Sequence, residues 1–527
     1  MGGAAKKRVI PQGSVREHLH DYCSSTSIHG VKYLGDHNRP PIERLWWLII
    51  FILSMVGSGF YISKVWFKWS NSPVIVSFSE TTTPVWQVPF PAVTLCSETK
   101  SRATVFNFTG VVRSNSTDEL ESVLRKMAGD VSLVCDPHVR FDGEKFTNES
   151  TMEILKEVAP SLENSLLACK WKNNVFQNCS TLFTPIITED GLCYTFNMLD
   201  ASELFRRPAA NQMFESRPKS NGWSLEKGYE PGTPRETYPN RALDAGTSAG
   251  LFIVLKAISA DFDYYCRGPI QGFKILLHNP AEIPSVGERY FRAPMKQEVL
   301  VGISPEIMKT NEGLRSYDAH VRQCYFPSER HLSHFNVYTQ QNCDLECLTN
   351  FTLKACGCVA FHMPRDNGTP ICGAGSKECM LDAKDNLRNK DLHFSYTKSE
   401  ETACDCLPAC SSLQYDAAIS QADYDWISVI KAYSENETEF EGVELARLAI
   451  FFKDKQFITS QRSELFGSSD FLASCGGVLG LFSGISLLSI VEVIYYVTLR
   501  FWNNIHRRRR VQKEEHDEGI LPFHIRH

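Results

Sequence analysis

The sequence predicts an α+β membrane protein, with two apolar transmembrane helices flanking one large, disulfide-rich ectodomain. Three observations carry that prediction. Two uncharged apolar runs, Leu45–Ile62 and Phe471–Val491, lie near opposite ends of the 527-residue chain, and each is about long enough to cross roughly 30 Å of hydrocarbon. Glycosylation sequons at Asn107, Asn115, Asn148, Asn178, Asn350, Asn367 and Asn436 all fall between the runs and none outside them. Of 18 cysteines, all but Cys23 and Cys475 lie there too. Sequons are read on a luminal or extracellular surface, and an oxidising compartment favours disulfides.

Residues 1–44 are polar and charged, with Lys6, Lys7, Arg8, Arg16, Arg39 and Arg44, and no secretory signal peptide opens them. The first span is expected at 45–66, with Trp46, Trp47, Trp66 and Trp69 at its interfaces. After the second span, expected at 468–499, come Arg500 and the run Arg507–Arg510. Cytoplasmic flanks favour Lys and Arg. Both termini, 1–44 and 500–527, are therefore expected in the cytoplasm, and the chain is expected as a multi-pass protein of the plasma membrane. The arginine run also reads as a nuclear or trafficking signal, but as the flank of a span it is more simply an anchor.

The ectodomain, expected at 67–467, mixes strands and helices. Val74–Phe78, Val93–Cys96, Gly250–Ala257 and Gly272–His278 concentrate β-branched and aromatic residues. Glu119–Ala128, Met152–Val158 and Gln341–Lys354 are helix-forming. Ala201–Asp244 is rich in Pro, Gly, Arg and Asn, and reads as irregular structure or a long mobile insertion. From Cys324 to Cys410 the cysteines crowd into x3 and x1 spacings. Zinc sites also use close thiolates, but usually as C-x2-C pairs, so disulfides are the better reading and no metal is expected. Cys23 and Cys475 are expected to be free thiols.

The second apolar run is crowded with small residues: Gly476, Gly477, Gly480, Gly484 and Ser486. Small residues allow close helix packing, or let a helix break and turn its carbonyls toward water. Glu492 favours the second reading, because an ionisable group in a span usually faces a bundle interior or an aqueous cavity. A pore is thus the leading functional reading. The chain carries no His-Glu-x-x-His and no phosphate-binding glycine loop, so no enzyme activity and no cofactor are expected. A net charge of -6 gives no signature of nucleic-acid binding. Two rivals stay open. A membrane-tethered ectoenzyme would need convergent acid and base groups in a cleft. A non-conducting receptor or adhesion protein would not need Gly484, Ser486 and Glu492.

Six blocks then appear in one order. They are Ser24-Ser-Thr-Ser-Ile-His29-Gly30, Phe90-Pro-Ala-Val-Thr-Leu-Cys96, Cys193-Tyr-Thr-Phe-Asn197, Ile450-Phe-Phe452, Gly476-Gly477 with Gly480-Leu-Phe482, and Gly484-Ile485-Ser486. With two spans and the Cys-rich block, this pattern resembles the degenerin/epithelial sodium channel family, which includes the acid-sensing channels. Within it, the chain looks most similar to the insect pickpocket branch.

The resemblance implies a homotrimer or heterotrimer of like subunits in a lipid bilayer. It implies a hand-like ectodomain with a palm β-sheet, a knuckle, and a helical finger and thumb, the Cys-rich thumb at about 320–412. The expected function is a subunit of an amiloride-sensitive, sodium-selective (monovalent cation) channel gated by an extracellular stimulus. The alternative is a non-conducting or regulatory sensory subunit that works only in a heteromer. Gly484, Ile485 and Ser486 would form the selectivity filter around permeant sodium ions. Glu492, seven residues from Ile485 and so nearly on one helical face, would add a cation-attracting field. His29 and Gly30 would influence gating from the cytoplasmic side. Gly480 would lie where amiloride-type blockers act, and Ala473 where larger residues hold channels open.

The disulfides implied by order are Cys96–Cys193, Cys169–Cys179, Cys324–Cys410, Cys343–Cys406, Cys347–Cys404, Cys356–Cys379 and Cys358–Cys372. Cys135 and Cys266 have no counterpart in the acid-sensing pattern and are left to each other. Three departures tell against proton gating: Pro73 stands where acid-sensing members carry a His, Ser474 where they carry an aspartate, and Val321 marks the missing docking aromatic. Mechanical, osmotic, pheromonal and peptide stimuli stay open.

Overall fold

The structure is a computed structural model describing residues 15–36, 38–71, 74–114, 119–206, 216–397, 404–433, 441–465, 467–503 and 506. Pro73, Asn115, Asn436 and Arg507–Arg510 lie outside the described residues. The chain divides into two compact units, residues 76–463 and residues 1–75 with 464–527.

The larger unit is sheet-rich. Its first sheet runs in the order Val74–Pro84, Gln456–Glu464, Gln297–Thr310, Val443–Phe452, Leu251–Ile258, Leu166–Trp171, Asn174–Phe176, with Ser412–Asp423 also paired to Gln297–Thr310. Its second runs Phe291–Pro294, Gly272–His278, Ala92–Ser97, Gly191–Phe196, Phe183–Thr188. Leu251–Ile258 alternates between fully and partly buried residues, the period of two that a strand imposes. Its inward Leu251, Ile253 and Leu255 meet Val93, Leu95 and Phe196 of the second sheet in one core. Each such fully buried side chain contributes about 1.5–3 kcal/mol. Phe90 anchors this core edge-on to Trp171, with ring centroids 4.8 Å apart.

Gln297–Thr310 is the longest strand and contains Pro305. Proline cannot donate to a ladder, which argues against a central strand on sequence grounds. Here one neighbour, Val443–Phe452, pairs in parallel as far as Ile303, and the next, Gln456–Glu464, takes over at Met308. Pro305 falls in the gap between them.

Helices surround the sheets. Glu119–Ser132 and Ser150–Val158 share a cluster around Phe106, Phe108 and Val131. Gln340–Cys356 and Lys377–Thr397 form a helical lobe. Eight disulfides brace the unit: Cys96–Cys193, Cys135–Cys266, Cys169–Cys179, Cys324–Cys410, Cys343–Cys406, Cys347–Cys404, Cys356–Cys379 and Cys358–Cys372. Cys23 and Cys475 are free. The described part of Ala201–Asp244 is irregular but packed, not a mobile excursion: Arg217, Trp223, Thr237 and Arg241 are buried.

Ionic contacts add a second tie. Asp190 accepts Lys100 at 2.7 Å, Lys274 at 3.0 Å and Arg267 at 2.5 Å, all with little solvent exposure. Burial alone would raise the Asp190 carboxyl, but these three cations hold it far below its ordinary range. Burial pushes the Lys100 ammonium down to about 8, against the pull of Asp190.

In the smaller unit, Pro41–Asn71 is a 31-residue helix, long enough for about 45 Å at 1.5 Å per residue. It exceeds the expected 45–66 at both ends. Pro41 stands at its first position, where a missing N–H costs nothing. Among the described residues this is the one helix long and apolar enough to cross a membrane unaided. The expected second span, 468–499, is instead a pair, Ser468–Ser483 and Leu487–Asn503, bent by 71° at a short break.

Candidate functional site

The bend falls on Gly484-Ile485-Ser486. Gly484 ends the first half in the left-handed region at φ 69°, a conformation glycine adopts without the Cβ penalty. Its amide closes the last turn on the Gly480 carbonyl at 3.0 Å. Ser486 opens the second half as its N-cap, accepting from the Ser489 amide. In an unbroken helix the Ser486 amide would reach the Phe482 carbonyl; here it donates to Ser489 Oγ at 3.1 Å. The break thus exchanges backbone ladder bonds for hydroxyl bonds and frees backbone carbonyls from the ladder.

The N-terminal segment fills one side of this break. The His29 amide donates to the Ser483 carbonyl at 3.0 Å. A Cβ added at Gly484 would meet His29 Nδ1 at 2.7 Å, so glycine is required there for space as well as for φ. Gly30 turns at φ 86° into the short helix Val31–Gly35. Ser27 donates to Glu492 Oε2 from its amide at 3.2 Å and from Oγ at 3.1 Å, and its Oγ lies 2.7 Å from Ser489 Oγ. Ser25 Oγ meets the Tyr496 hydroxyl at 2.6 Å, and Arg500 pairs with Asp21 at 3.1 Å. Ser489, Glu492 and Tyr496 recur at helical spacing, so one face of the second half carries the N-terminal segment. This corrects the expected alignment of Glu492 with Ile485. Seven residues return to one face only along a continuous helix, and this one starts anew at Leu487.

Ser468–Ser483 has two unlike faces. Phe471 packs against Trp66 and Trp69 with centroids 5.8 and 5.3 Å apart. Phe482 lies 5.7 Å from Tyr61, and its ring sits over Gly57, where an added Cβ would come within 2.9 Å. Ala473, Gly476, Gly477 and Gly480 recur at i, i+3, i+4 and i+7 on another face. That face is open: Ala473 is exposed, and a Cβ at any of the three glycines would meet nothing within 4 Å.

The remaining expected sites are scattered in the larger unit. Asn107, Asn148, Asn178, Asn350 and Asn367 are exposed. The first three cap turns through their side chains, whereas Asn350 lies inside Gln340–Cys356. Val321 is 45% exposed. Among the described residues, no cluster of His, Cys, Asp or Glu could hold a metal ion. One motif escapes the sequence reading: Gly246-Thr247-Ser248-Ala249-Gly250 has the Gly-x-Ser-x-Gly spacing of hydrolase elbows. An elbow needs a strand running into a helix. Here a 3-10 turn at Thr247–Ala249 runs into the strand Leu251–Ile258, the reverse order.

A family model described as amiloride-sensitive sodium channel matches residues 22–496. Pickpocket protein 28 of Drosophila melanogaster is 31% identical over 98% of this chain and 84% of its own length. The sodium channel protein Nach of the same fly is 24% identical, over 92% of this chain and 88% of that one. Acid-sensing ion channel 2 of Rattus norvegicus is 25% identical, over 90% and 85%. The family match covers both apolar runs, Leu45–Ile62 and Phe471–Val491, and everything between them, and by it the chain belongs to the amiloride-sensitive sodium channel family, a family of ion channels and not of enzymes.

Proposed function

We propose that the chain is a subunit of a trimeric, amiloride-sensitive, sodium-selective channel of the plasma membrane, gated by an extracellular stimulus. In this reading both termini are cytoplasmic, residues 76–463 form the hand-like ectodomain, and Pro41–Asn71 and the bent pair both cross the bilayer. The observation that carries it is the break at Gly484-Ile485-Ser486 beside an uncovered face of small residues. Irregular backbone at membrane depth is tolerated where it lines a water-filled path. Three copies of the Ala473–Gly480 face can approach one axis closely, because no side chain stands between them. Carbonyls and hydroxyls freed at the break can then replace water around a small monovalent cation. Gly480 would place the blocker on this face, one turn before the filter. Glu492 would contribute negative potential below it, its carboxylate held by Ser27 rather than lining the narrowest point.

Whole-cell recording from cells expressing this chain, alone and with like subunits, under osmotic, mechanical, peptide and pheromonal stimuli tests the reading. Sodium current blocked by amiloride is expected. Current only on co-expression would identify an obligate heteromer. Normal surface delivery with no amiloride-sensitive current in any combination would contradict conduction and leave a regulatory subunit.

A further inference from the structure

A cleft of about 500 Å³ opens in the larger unit beside Gln297–Thr310, within the ~300–1,000 Å³ typical of small-molecule sites. Its wall draws on segments far apart in sequence: Trp86 from the turn Val85–Gln87, Trp223 and Tyr229 from a two-strand hairpin, and Ile307 and Met308 from the long strand. The hairpin belongs to the irregular stretch Ala201–Asp244, which channel function as argued above does not use.

Arg241 makes the cleft rigid. Its guanidinium is buried, lies 4.6 Å over the Tyr229 ring, and donates to the carbonyls of Trp86 at 3.0 Å, Thr233 at 2.8 Å and Pro234 at 2.6 Å. Every one of these acceptors is a backbone carbonyl, so the hydrogen bonds that hold this buried positive charge beside the cleft come from dipoles and not from carboxylates. Tyr229 already carries the guanidinium on its face and donates to the Pro239 carbonyl at 2.7 Å. Trp86, 44% exposed, is the aromatic surface left open.

The other charges around the cleft are Glu226, Lys227, Glu230 and Lys309. Glu226 lies 3.6 Å from Arg315, which it shares with Glu312 at 2.9 Å. With Arg241, the lining carries three cations against Glu226 and Glu230. A negative group in the cleft would gain from the Arg241 field without displacing any of its hydrogen bonds, and would have two ammonium groups nearby.

We propose that this cleft binds a small organic anion with a flat apolar body, an aromatic or alicyclic carboxylate or sulfonate, laid against Trp86 with its charge toward Lys309 and Lys227. The proposal is independent of ion conduction. Equilibrium dialysis of the purified full chain in lipid nanodiscs against 2-naphthoate, 2-naphthamide and 2-naphthylmethylammonium tests it, with empty nanodiscs subtracted. Saturable binding of the carboxylate is expected, about tenfold tighter than the amide and tighter still than the ammonium ion. Lys309→Glu, on the rim, should weaken the carboxylate by about tenfold or more without changing the fold. Trp86→Ala should weaken all three probes. Equal binding of ammonium and carboxylate, wild-type binding by both variants, or no saturable binding of any probe would each overturn the proposal.

Discussion

Pro41–Asn71 runs as one unbroken helix, whereas Ser468–Ser483 and Leu487–Asn503 meet at a 71° bend. Small residues alone do not explain the difference. The unbroken helix holds Gly57-Ser58-Gly59 at its middle, as dense a cluster as Gly484-Ile485-Ser486. Its Ser58 Oγ donates back to the Met55 carbonyl at 2.9 Å, within the helix, and Gly57 is covered by the Phe482 ring. At the bend, two of the released groups find partners outside the ladder: the Ser483 carbonyl takes the His29 amide, and the Ser486 amide takes Ser489 Oγ. In an apolar surround an unpaired peptide group costs several kcal/mol. Glycine therefore permits a break, and the available partners decide whether one forms.

The largest effect should come from forcing the bent helix to resemble the straight one. Gly484→Val puts a β-branched residue at positive φ, at about 1–2 kcal/mol, and drives it into the His29 ring. Current should be abolished, or the sodium–potassium reversal potential should shift. Ser486→Leu removes the cap, about 1 kcal/mol, and should shift reversal as well. Wild-type conductance and selectivity in both variants would remove the bend from the ion path.

Next comes the uncovered face. If three copies of Ala473 converge in the shut state, Ala473→Val overpacks each by about 1–3 kcal/mol, or roughly 3–9 kcal/mol per trimer. That is enough to invert a gate with a gap of a few kcal/mol, and a standing sodium current without stimulus is expected. A variant that reaches the surface, stays silent at rest and gates normally would mean that this face meets lipid.

Smaller still is Ser27→Ala. It deletes the hydroxyl contacts to Glu492 and Ser489 but leaves the amide bond to Glu492. A loss of about 0.5–1.5 kcal/mol is expected, seen as a shifted stimulus–response midpoint with an unchanged reversal potential. A reversal shift as large as that of Gly484→Val would place Ser27 in the filter and not behind it. Least of all should be Gly59→Ala in the straight helix, where an added Cβ meets nothing within 4 Å and helix propensity improves by about 1 kcal/mol. Lost current there would show that the straight helix also lines the path.

Both apolar runs and the partition of cysteines and sequons between them were legible in the sequence, because hydrocarbon thickness and redox compartment leave marks in composition. A break was one reading of the small residues, but its position and its caps were not read, although their signal is present. Gly484 followed by Ser486 with Ser489 three residues on is a C-terminal glycine and an N-terminal cap back to back. An uninterrupted apolar run masks such punctuation, and the seven-residue spacing from Ile485 to Glu492 then seems to mean a shared face. The role of Ser25 and Ser27 was hidden for another reason: their partners lie more than 460 residues away. The strand Gln297–Thr310 is obscured by Pro305, whose missing donor matters only once its two successive neighbours are known.

Cysteine accessibility separates the two helices most directly. In a background carrying Cys475→Ala and Cys23→Ser, single cysteines would replace Ala473, Gly476, Gly477 or Gly480 on the bent helix, and Ile49, Leu53, Val56 or Phe60 on the straight one. A water-soluble cationic thiol reagent is then applied from outside during stimulated current. Irreversible block at the first set, slowed by amiloride, with no block at the second set, is the predicted result. Block at the second set, or free conduction through channels fully modified at the first, would contradict an ion path along the broken helix.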